Sequence, residues 1–387
     1  MPVEHLSEVL KILDGALKSN QSMAANYAGL LADKLERDGS RREALMIRER
    51  LARVPGALSI AQGGAMVPLK NAQLPVDGDS RMHTVDLSRP CSAEVNLLLP
   101  HALQNRLGDY LAGIRHHAKL VAAGVVIPHR LIMDGPPGTG KTQTARSIAG
   151  QLGLPLLTVR CDTMISSLLG QTSRNLRRVF EYAQEFPCVL FLDELDAMAT
   201  ARGSERDVGE LQRVVISLLQ NIDALPVDTI LVAATNHSQL LDYAIWRRFS
   251  YRLSMPLPDS QLRQILWKHF LGDYAPAILD FDDIARRSEG LSGATIEQVC
   301  QDAKRTAVLQ GKAVVDETEL FRRLGLTLAL GQSKVVGSTD GEIRWLRGWY
   351  SKLFTHRVLS AAYGISQRQV RNAIGGEQYG YTGDLQS

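Results

Sequence analysis

The sequence predicts an α/β protein: a parallel sheet covered by helices on both faces (an αβα layer), then an all-helical lid, with helical additions at both ends. Three observations support this fold class. From Arg130 onward, short apolar strand-like runs alternate with helical runs, as in parallel sheets built from crossover connections. A glycine-rich loop separates the first strand from the helix after it. From Asp259 to about Leu330 the pattern is helical only.

The element pattern sets the domain boundaries. The strand-like runs are Arg130–Asp134, Leu154–Arg160, Cys188–Asp193, Thr229–Thr235 and Tyr251–Met255. The helical runs between them are Thr142–Leu152, Ser173–Phe186 and Val208–Ala224. Those that follow are Gln261–Leu271, Phe281–Ser288, Ala294–Gln310 and Asp316–Leu324. We therefore assign residues 91–258 to the αβα domain and residues 259–330 to the helical lid.

The flanking segments differ from this central region. Residues 1–53 have helical periodicity, with Leu6, Leu10, Leu13 and Leu17 on one face, and we interpret them as a helical bundle that docks on a partner. Residues 54–90 are rich in Pro and Gly, which predicts a linker with one short strand. Residues 331–387 form a C-terminal helical tail.

Composition excludes several classes of protein. The chain has 387 residues, of which 45% are hydrophobic and 22% are charged. This composition is typical of globular proteins and excludes a wholly disordered chain. No window is apolar enough for a membrane span, and the N-terminus lacks the basic start of a secretory signal. Four cysteines without a CxxC pair indicate reduced thiols, and hence a cytoplasmic protein without a membrane partner.

A phosphate-binding loop is the most specific motif in the chain. It matches GxxxxGK[ST] at Gly135, Pro136, Pro137, Gly138, Thr139, Gly140, Lys141 and Thr142. The glycines let backbone N–H groups surround phosphate oxygens, and the N-terminus of the next helix adds partial positive charge. Lys141 is expected to neutralise the β and γ phosphates, and the Thr142 hydroxyl to bind Mg²⁺. ATP and Mg²⁺ are the predicted ligands.

Acidic residues follow the apolar strand that ends about fifty residues after this loop. The carboxyl ends of parallel strands face the crevice in which ligands bind. We expect Asp193 to hold Mg²⁺ and Glu194 to polarise the attacking water. Asp196 is interpreted as a helix cap or a surface acid.

A polar amide and two arginines complete the candidate catalytic set. Asn236 ends another apolar strand and is predicted to orient the water beside Glu194, although alone it would suggest an Asx turn. Arg247 and Arg248 follow on a helix-like stretch that starts at Asp242. Such a pair is either a solvated face or, in a ring, an arginine finger for the neighbouring subunit's γ-phosphate.

The segments GPPGTGKT, FLDELD, AATN and LLDYAIWRRF, in this order and spacing, resemble the classical AAA ATPases of the AAA+ superfamily. That group contains spastin, katanin and the FtsH-type ATPases, and this chain looks like a bacterial-type, stand-alone member. The resemblance runs from about Leu97 to Leu330, about 60% of the chain. It implies a nucleotide-binding αβα domain, a four-helix lid and a homo-oligomeric ring, usually hexameric, with ATP sites at subunit interfaces.

Two further groups of site residues rest on this resemblance. Gly293 and Ala294 match a small-residue motif that lies beside the nucleotide in the family. Leu168, Leu169 and Gly170 occupy the place of the pore loop that grips substrate in the ring. Leu168 stands where the family has an aromatic residue, which weakens gripping of a threaded chain. The alternative is that Leu168 and Leu169 pack in the core.

The tail is similar to a helix-turn-helix. Gly364 is predicted to make the turn and Ser366 to cap the second helix, with Val370 and Ile374 facing inward. The outward side chains, which are possible contacts to DNA, are Gln367, Arg368, Arg371 and Asn372. The formal net charge of the tail is +3, which equals that of the whole chain, so the preceding residues are neutral overall. A terminal helical hairpin that docks on the ring is the alternative interpretation.

The preferred function is a ring-forming, Mg²⁺-dependent ATPase that remodels a protein substrate or complex. Its partners would be a protein substrate or adaptor, or a separately encoded protease, because this chain has no HExxH motif. One alternative is a DNA-associated ATPase that acts on duplex DNA through the tail. Another is a nucleotide-gated scaffold without hydrolysis.

Overall fold

The structure is a computed structural model that describes residues 5–17, 20–52, 85–91, 96–161, 169–197, 205–331 and 337–375. The chain divides into two compact units, residues 1–256 and residues 257–387. In the first unit the helices are α1 (Leu6–Leu17), α2 (Gln21–Arg37), α3 (Arg41–Ala52), α4 (His101–Arg115), α5 (His117–Ala122), α6 (Lys141–Leu152), α7 (Leu169–Glu185), α8 (Glu205–Ala224) and α9 (Tyr243–Trp246).

The first unit contains a six-stranded sheet with the strand order β1-β3-β4-β5-β2-β6. Its strands are β1 (Asp86–Ser88), β2 (Arg130–Asp134), β3 (Leu156–Arg160), β4 (Val189–Asp193), β5 (Ile230–Thr235) and β6 (Tyr251–Ser254). Strands β2 to β6 pair in parallel, as the sequence predicts. Their carboxyl ends therefore meet at one edge of the sheet, where ligands bind in folds of this class.

Strand β1 makes the sheet mixed rather than wholly parallel. It pairs antiparallel with β3, and Leu87 lies opposite Leu157. The strand lies within residues 54–90, the range predicted as a linker with one short strand. Antiparallel addition at the edge needs no crossover helix, so a short segment of linker extends the sheet.

The core consists of two apolar layers, one on each face of the sheet. Along β2, Ile132 belongs to one layer, whereas Leu131 and Met133 belong to the other, as the two-residue period of a strand requires. Helices α7 and α8 cover the first layer, and α4 and α6 cover the second. Both faces are buried, which explains why the central strands read as continuous apolar runs.

The N-terminal helices pack against the edge of the sheet at which the parallel strands begin. Helix α2 contacts α7, and α1 contacts α5. The Lys11 ammonium lies 3.1 Å from a carboxylate oxygen of Asp228, just before β5. The Asn20 side chain donates a 3.0 Å hydrogen bond to the carboxylate of Glu185, just before β4. The bundle is therefore held on the side opposite the carboxyl ends of the strands.

Three leucines of helix α1 point to solvent. Leu10, Leu13 and Leu17 are 54%, 52% and 76% exposed, whereas Glu8 and Lys11 are buried. The cause is the close approach of α1 and α2, since a Cβ at Gly15 would lie 2.6 Å from the backbone nitrogen of Ala24. The face that periodicity identified is thus the solvent face of α1.

The described residues of the second unit contain helices and no strands. Its helices are α10 (Ser260–Leu271), α11 (Phe281–Arg287), α12 (Gly293–Leu309), α13 (Glu317–Gly331), α14 (Thr339–Trp349), α15 (His356–Tyr363) and α16 (Gln367–Gly375). Helix α13 runs past the predicted end at Leu324 and through Gly325. A Cβ at Gly325 would lie 2.7 Å from the Leu346 side chain, so this glycine permits close packing of α13 and α14.

The last three helices form a small three-helix arrangement. Helices α14 and α15 both contact α16, and the inward face of α16 consists of Val370 and Ala373. Ile374, predicted to face inward, is only half-buried. Ala373, three residues after Val370, is buried in its place. Among the described residues, no helix is both long enough and apolar enough to cross a membrane.

His129 makes the first unit acid-sensitive. Its ring is buried, and neither ring nitrogen has a hydrogen-bond partner among the described residues. Burial, together with the neighbouring His117, lowers the pKa of His129 from 6.5 to about 4. Between these values the unfolded chain binds a proton that the folded chain does not, so the free energy of unfolding falls as the pH falls.

We expect His129→Phe to remove this dependence, because Phe keeps a buried ring without a titrating group. Wild type should lose about 2 kcal/mol more than the variant between pH 7.5 and pH 5, in denaturant titrations at both pH values. The exposed His101 provides the control, and His101→Phe should keep the wild-type pH dependence. An unchanged pH dependence in His129→Phe would show that other groups cause the acid sensitivity.

Candidate functional site

The phosphate-binding loop connects the end of β2 to the start of α6. Gly135 has a φ of +148°, and a Cβ there would lie 2.1 Å from the carbonyl oxygen of Met255. The Met255 N–H in turn donates to the Asp134 carbonyl at 2.7 Å. Gly140, with a φ of +98°, directly precedes α6. The loop therefore requires glycine for steric reasons, and its backbone leads into a helix N-terminus that favours anions.

Lys141 is turned into the loop. Its side chain is 7% exposed, and its ammonium donates to the carbonyls of Gly135 at 2.6 Å and Pro136 at 2.8 Å. Burial lowers the pKa of Lys141, and the carboxylates of Asp193, Asp196 and Asp134 oppose that shift. A buried cation that neutral carbonyls hold in place is suited to bind the oxygens of a phosphate chain.

Thr142 and Asp193 lie together at the carboxyl edge of the sheet. The Thr142 hydroxyl donates to Oδ2 of Asp193 at 3.1 Å, and the Glu194 N–H donates to Oδ1 of the same carboxylate at 3.0 Å. One hydroxyl and one carboxylate are the hard oxygen donors that Mg²⁺ takes when phosphates and water supply its other ligands. This pair therefore fits a metal that is shared with a nucleotide.

Glu194 has a backbone conformation that is uncommon for its residue type. Its φ is +53°, in the left-handed region, and its side chain is exposed beyond the end of β4. Non-glycine residues in this region occur where the surrounding structure enforces them, often at functional sites. Leu195, the next residue, is anchored by donating to the Ala234 carbonyl at 2.9 Å. The turn thus directs the Glu194 carboxylate away from the core.

Asp196 connects the ends of β4 and β5. Its Oδ1 accepts hydrogen bonds from the Thr235 hydroxyl at 2.8 Å and from the Asn236 N–H at 3.0 Å. The residue is buried, so the interpretation as a surface acid is wrong. A buried carboxylate needs such donors, and here they belong to the strand beside it. Asp196 thereby fixes the backbone at Asn236 next to the Glu194 turn.

The two arginines lie beyond the one-turn helix α9, which Asp242 caps. Arg248 makes two contacts to Asp223 on α8, Nε to Oδ1 at 3.2 Å and Nη2 to Oδ2 at 3.1 Å. This paired hydrogen bonding raises the pKa of Arg248 above its usual range. Arg247 is exposed and has no ion-pair partner among the described residues.

The other predicted site residues belong to the second unit or stand at positions 168–170 of the sequence. Gly293 and Ala294 begin α12 in the second unit, where Ser292 caps the helix. Leu168 lies outside the described residues, whereas Leu169 and Gly170 open α7. Their proposed roles beside the nucleotide and in a pore remain predictions.

Sequence reasoning missed two contributors to the site. The sequence suggests only a helix cap or a surface acid at Asp196, because Thr235, which donates to its carboxylate, lies thirty-nine residues away. The second contributor is the backbone of Met255, which leaves no room for a side chain at position 135. A contact made by backbone atoms does not depend on the residue type, so the sequence does not indicate it. The one sequence signal for Asp196 is its position three residues after Asp193, in the run Asp193-Glu194-Leu195-Asp196. This spacing indicates a third carboxylate near the end of β4.

Removal of the Lys141 ammonium should abolish most nucleotide binding. Because a charged hydrogen-bond donor is lost, we expect Lys141→Ala to weaken ATP binding by about tenfold or more. A fluorescence titration with an ATP analogue measures this directly. Lys119→Ala removes an exposed lysine of the same unit and should bind normally. Equal affinities for both variants would contradict the assignment of the loop.

Asp196→Ala should lower turnover more than binding. The substitution leaves the Thr235 hydroxyl and the Asn236 N–H without their acceptor, so Asn236 is displaced beside Glu194. We expect kcat to fall about ten- to a hundredfold with little change in ATP affinity. Asp196→Asn keeps one carbonyl oxygen as an acceptor and should recover part of kcat. A matched loss of kcat and affinity in both variants would indicate general damage instead.

Two family models match the chain. The model of the ATPase family associated with various cellular activities (AAA) matches residues 131–257. The model of the AAA+ lid domain matches residues 279–321. The first range runs from β2 through β6 and thus contains the phosphate-binding loop, Asp193, Glu194, Asn236 and both arginines.

Several relatives have the same central region. The uncharacterized AAA family ATPase y4kL of Sinorhizobium fredii is 39% identical over 236 residues, 60% of this chain and 68% of that protein. A cell division cycle protein 48 homolog of Archaeoglobus fulgidus is 32% identical over 59% of this chain and 33% of its own. An ATP-dependent zinc metalloprotease FtsH of Mycoplasmopsis pulmonis is 30% identical over 70% of this chain and 37% of its own.

The aligned region therefore spans only about a third of the length of the latter two relatives. The match to y4kL covers 68% of the length of that relative. The family models, this relative and the loop geometry agree on one assignment. The chain belongs to the AAA family of ATPases.

Proposed function

We propose that this ATPase assembles into a hexameric ring and couples Mg²⁺-dependent ATP hydrolysis at subunit interfaces to the remodelling of a protein substrate or complex. The observation that carries the proposal is the contact between the Thr142 hydroxyl and the Asp193 carboxylate beside the buried ammonium of Lys141. These groups lie at the carboxyl edge of a parallel sheet, where the helix N-terminus of α6 adds further positive potential.

Each residue of the site has a separate task in hydrolysis. Lys141 exchanges its contacts with loop carbonyls for phosphate oxygens and stabilises their charge. Thr142 and Asp193 would hold Mg²⁺, which offsets negative charge on the phosphates. Glu194 polarises the attacking water, and Asn236, anchored through Asp196, orients it. Water then attacks the γ-phosphorus as the bond to the ADP oxygen breaks, and Glu194 accepts the proton of the water.

The arginines are proposed to act on the neighbouring subunit's ATP. Arg248 is held by Asp223 and also donates to the Ala244 carbonyl at 3.0 Å, so its guanidinium has a defined orientation. Arg247 beside it is exposed. Cations fixed at the surface of one subunit are suited to stabilise charge that develops in a site completed by assembly.

Two observations favour a protein as the substrate or adaptor. The named relatives include an ATP-dependent zinc metalloprotease, an enzyme class that acts on proteins. In addition, α1 exposes Leu10, Leu13 and Leu17, an apolar surface suited to a protein adaptor or a separately encoded protease. The pore role of Leu168, Leu169 and Gly170, the contact of Gly293 and Ala294 with nucleotide, and a cytoplasmic location belong to the same proposal.

Mixing two inactive variants tests catalysis between subunits. Glu194→Gln cannot activate water, and Arg247→Ala/Arg248→Ala cannot serve a neighbour, so each alone should be nearly inactive. In an equimolar mixture, a site works where a subunit with Glu194 (the double arginine variant) lies beside a subunit with both arginines (the Glu194→Gln variant). Random assembly gives this arrangement at about one interface in four. We expect about a quarter of wild-type ATPase activity, measured as phosphate release.

A second mixture is the control for the first. Glu194→Gln combined with Lys141→Ala leaves no interface with an intact catalytic site, so it should recover nothing. Absence of recovery in the first mixture, with both variants assembled, would overturn the proposed interface site. So would full activity of the double arginine variant alone.

A further inference from the structure

The C-terminal three-helix arrangement presents a helix whose outer face the ATPase site does not use. Helices α15 and α16 are joined by a short turn at Gly364, which has a left-handed φ of +63°. Ser366 caps α16, because the Gln369 N–H donates to its hydroxyl at 3.3 Å and Oε1 of Gln369 accepts from the Ser366 N–H at 2.8 Å. This reciprocal capping box sets the start of α16.

The inward face of α16 is packed, so its outward face has a defined direction. Val370 and Ala373 are buried in α16, as are Ile343 and Leu346 in α14 and Leu359 in α15. The helix cannot rotate without exposing these side chains. The exposed side chains of α16 are Gln367, Arg368, Gln369, Arg371 and Asn372. Arginine, glutamine and asparagine are the residues that pair with base edges in the major groove.

The charge of this surface favours a polyanion. Residues 343–376 contain six Lys or Arg and no Asp or Glu. Arg368 and Arg371 have no ion-pair partner within the described part of the chain, and Arg347 donates to the carbonyls of Ser351 and Phe354 rather than to an acid. The nearest acid before this stretch, Glu342, already accepts a 2.6 Å hydrogen bond from Tyr363.

We propose that this surface binds duplex DNA, with α16 in the major groove. Helix α16 is capped, is packed on its inner face and carries Arg, Gln and Asn on its outer face. These are the features of the second helix of a helix-turn-helix, which docks in the major groove. Arg357 and Lys352, exposed on and before α15, are available to contact phosphates on either side. DNA binding is a property beyond ATP-driven protein remodelling and does not depend on the ATP site.

Fluorescence anisotropy of the full chain with a 30-base-pair duplex tests this proposal at several salt concentrations. Arg368→Ala/Arg371→Ala should weaken binding by about tenfold or more and lower the slope of log K against log salt by about 2. Its basal ATPase activity and melting temperature should equal those of wild type, because both side chains are exposed and outside the ATP site. An equal-length single strand should bind more weakly than the duplex.

A matched double variant controls for net charge. Arg286 and Arg305 belong to the same unit and are 72% and 68% exposed, so Arg286→Ala/Arg305→Ala removes the same charge elsewhere. It should leave DNA affinity within about twofold of wild type. Equal weakening by the two double variants would overturn the proposed surface. Absence of duplex binding at 50 mM salt would also overturn it and would favour a protein as the occupant of α16.

Discussion

The parallel pairing of β2, β5 and β4 is the constraint on which the ATP site depends. It places Asp134 beside Thr235 at one edge and brings the end of β4 next to the end of β5. Residues that are distant in sequence thereby follow neighbouring strands: the phosphate-binding loop after β2, Asn236 after β5 and Glu194 after β4. The hydrogen bonds of Asp196 then lock two of these ends together. A slip of one register position would separate the groups that handle phosphate from those that handle water.

Electrostatics at this edge are arranged around a buried cation. Burial of Lys141 would by itself disfavour its charge, and three nearby carboxylates offset that effect. Its ammonium is satisfied by loop carbonyls, so no strong ion pair has to be broken before a phosphate binds. The Asp193 carboxylate, in contrast, accepts hydrogen bonds from the Thr142 hydroxyl and the Glu194 N–H. These bonds keep the oxygens proposed to bind a metal next to the turn that carries Glu194, the proposed base. Preorganisation of this kind reduces the rearrangement that hydrolysis would require.

Each of the two units directs a distinct surface to solvent. The N-terminal helices are attached where the parallel strands begin, through Lys11 and Asp228 among others, so they leave the carboxyl edge clear. Their exposed leucines face outward from that attachment. In the second unit, the three-helix arrangement at the C-terminus directs a basic face outward in the same manner.

The sequence by itself determined the strand and helix order, the phosphate-binding loop, the acids after β4 and the amide after β5, because each has a local pattern of residue types. It did not determine the antiparallel β1, the role of Asp196 or the outward leucines of α1. Those depend on which segments meet: Asp196 needs donors from β5, and α1 turns its leucines outward because Gly15 packs against Ala24. Periodicity identifies an apolar face but not whether another part of the chain covers it. Contacts between segments that are distant in sequence have no local signature, so only the tertiary structure decided them.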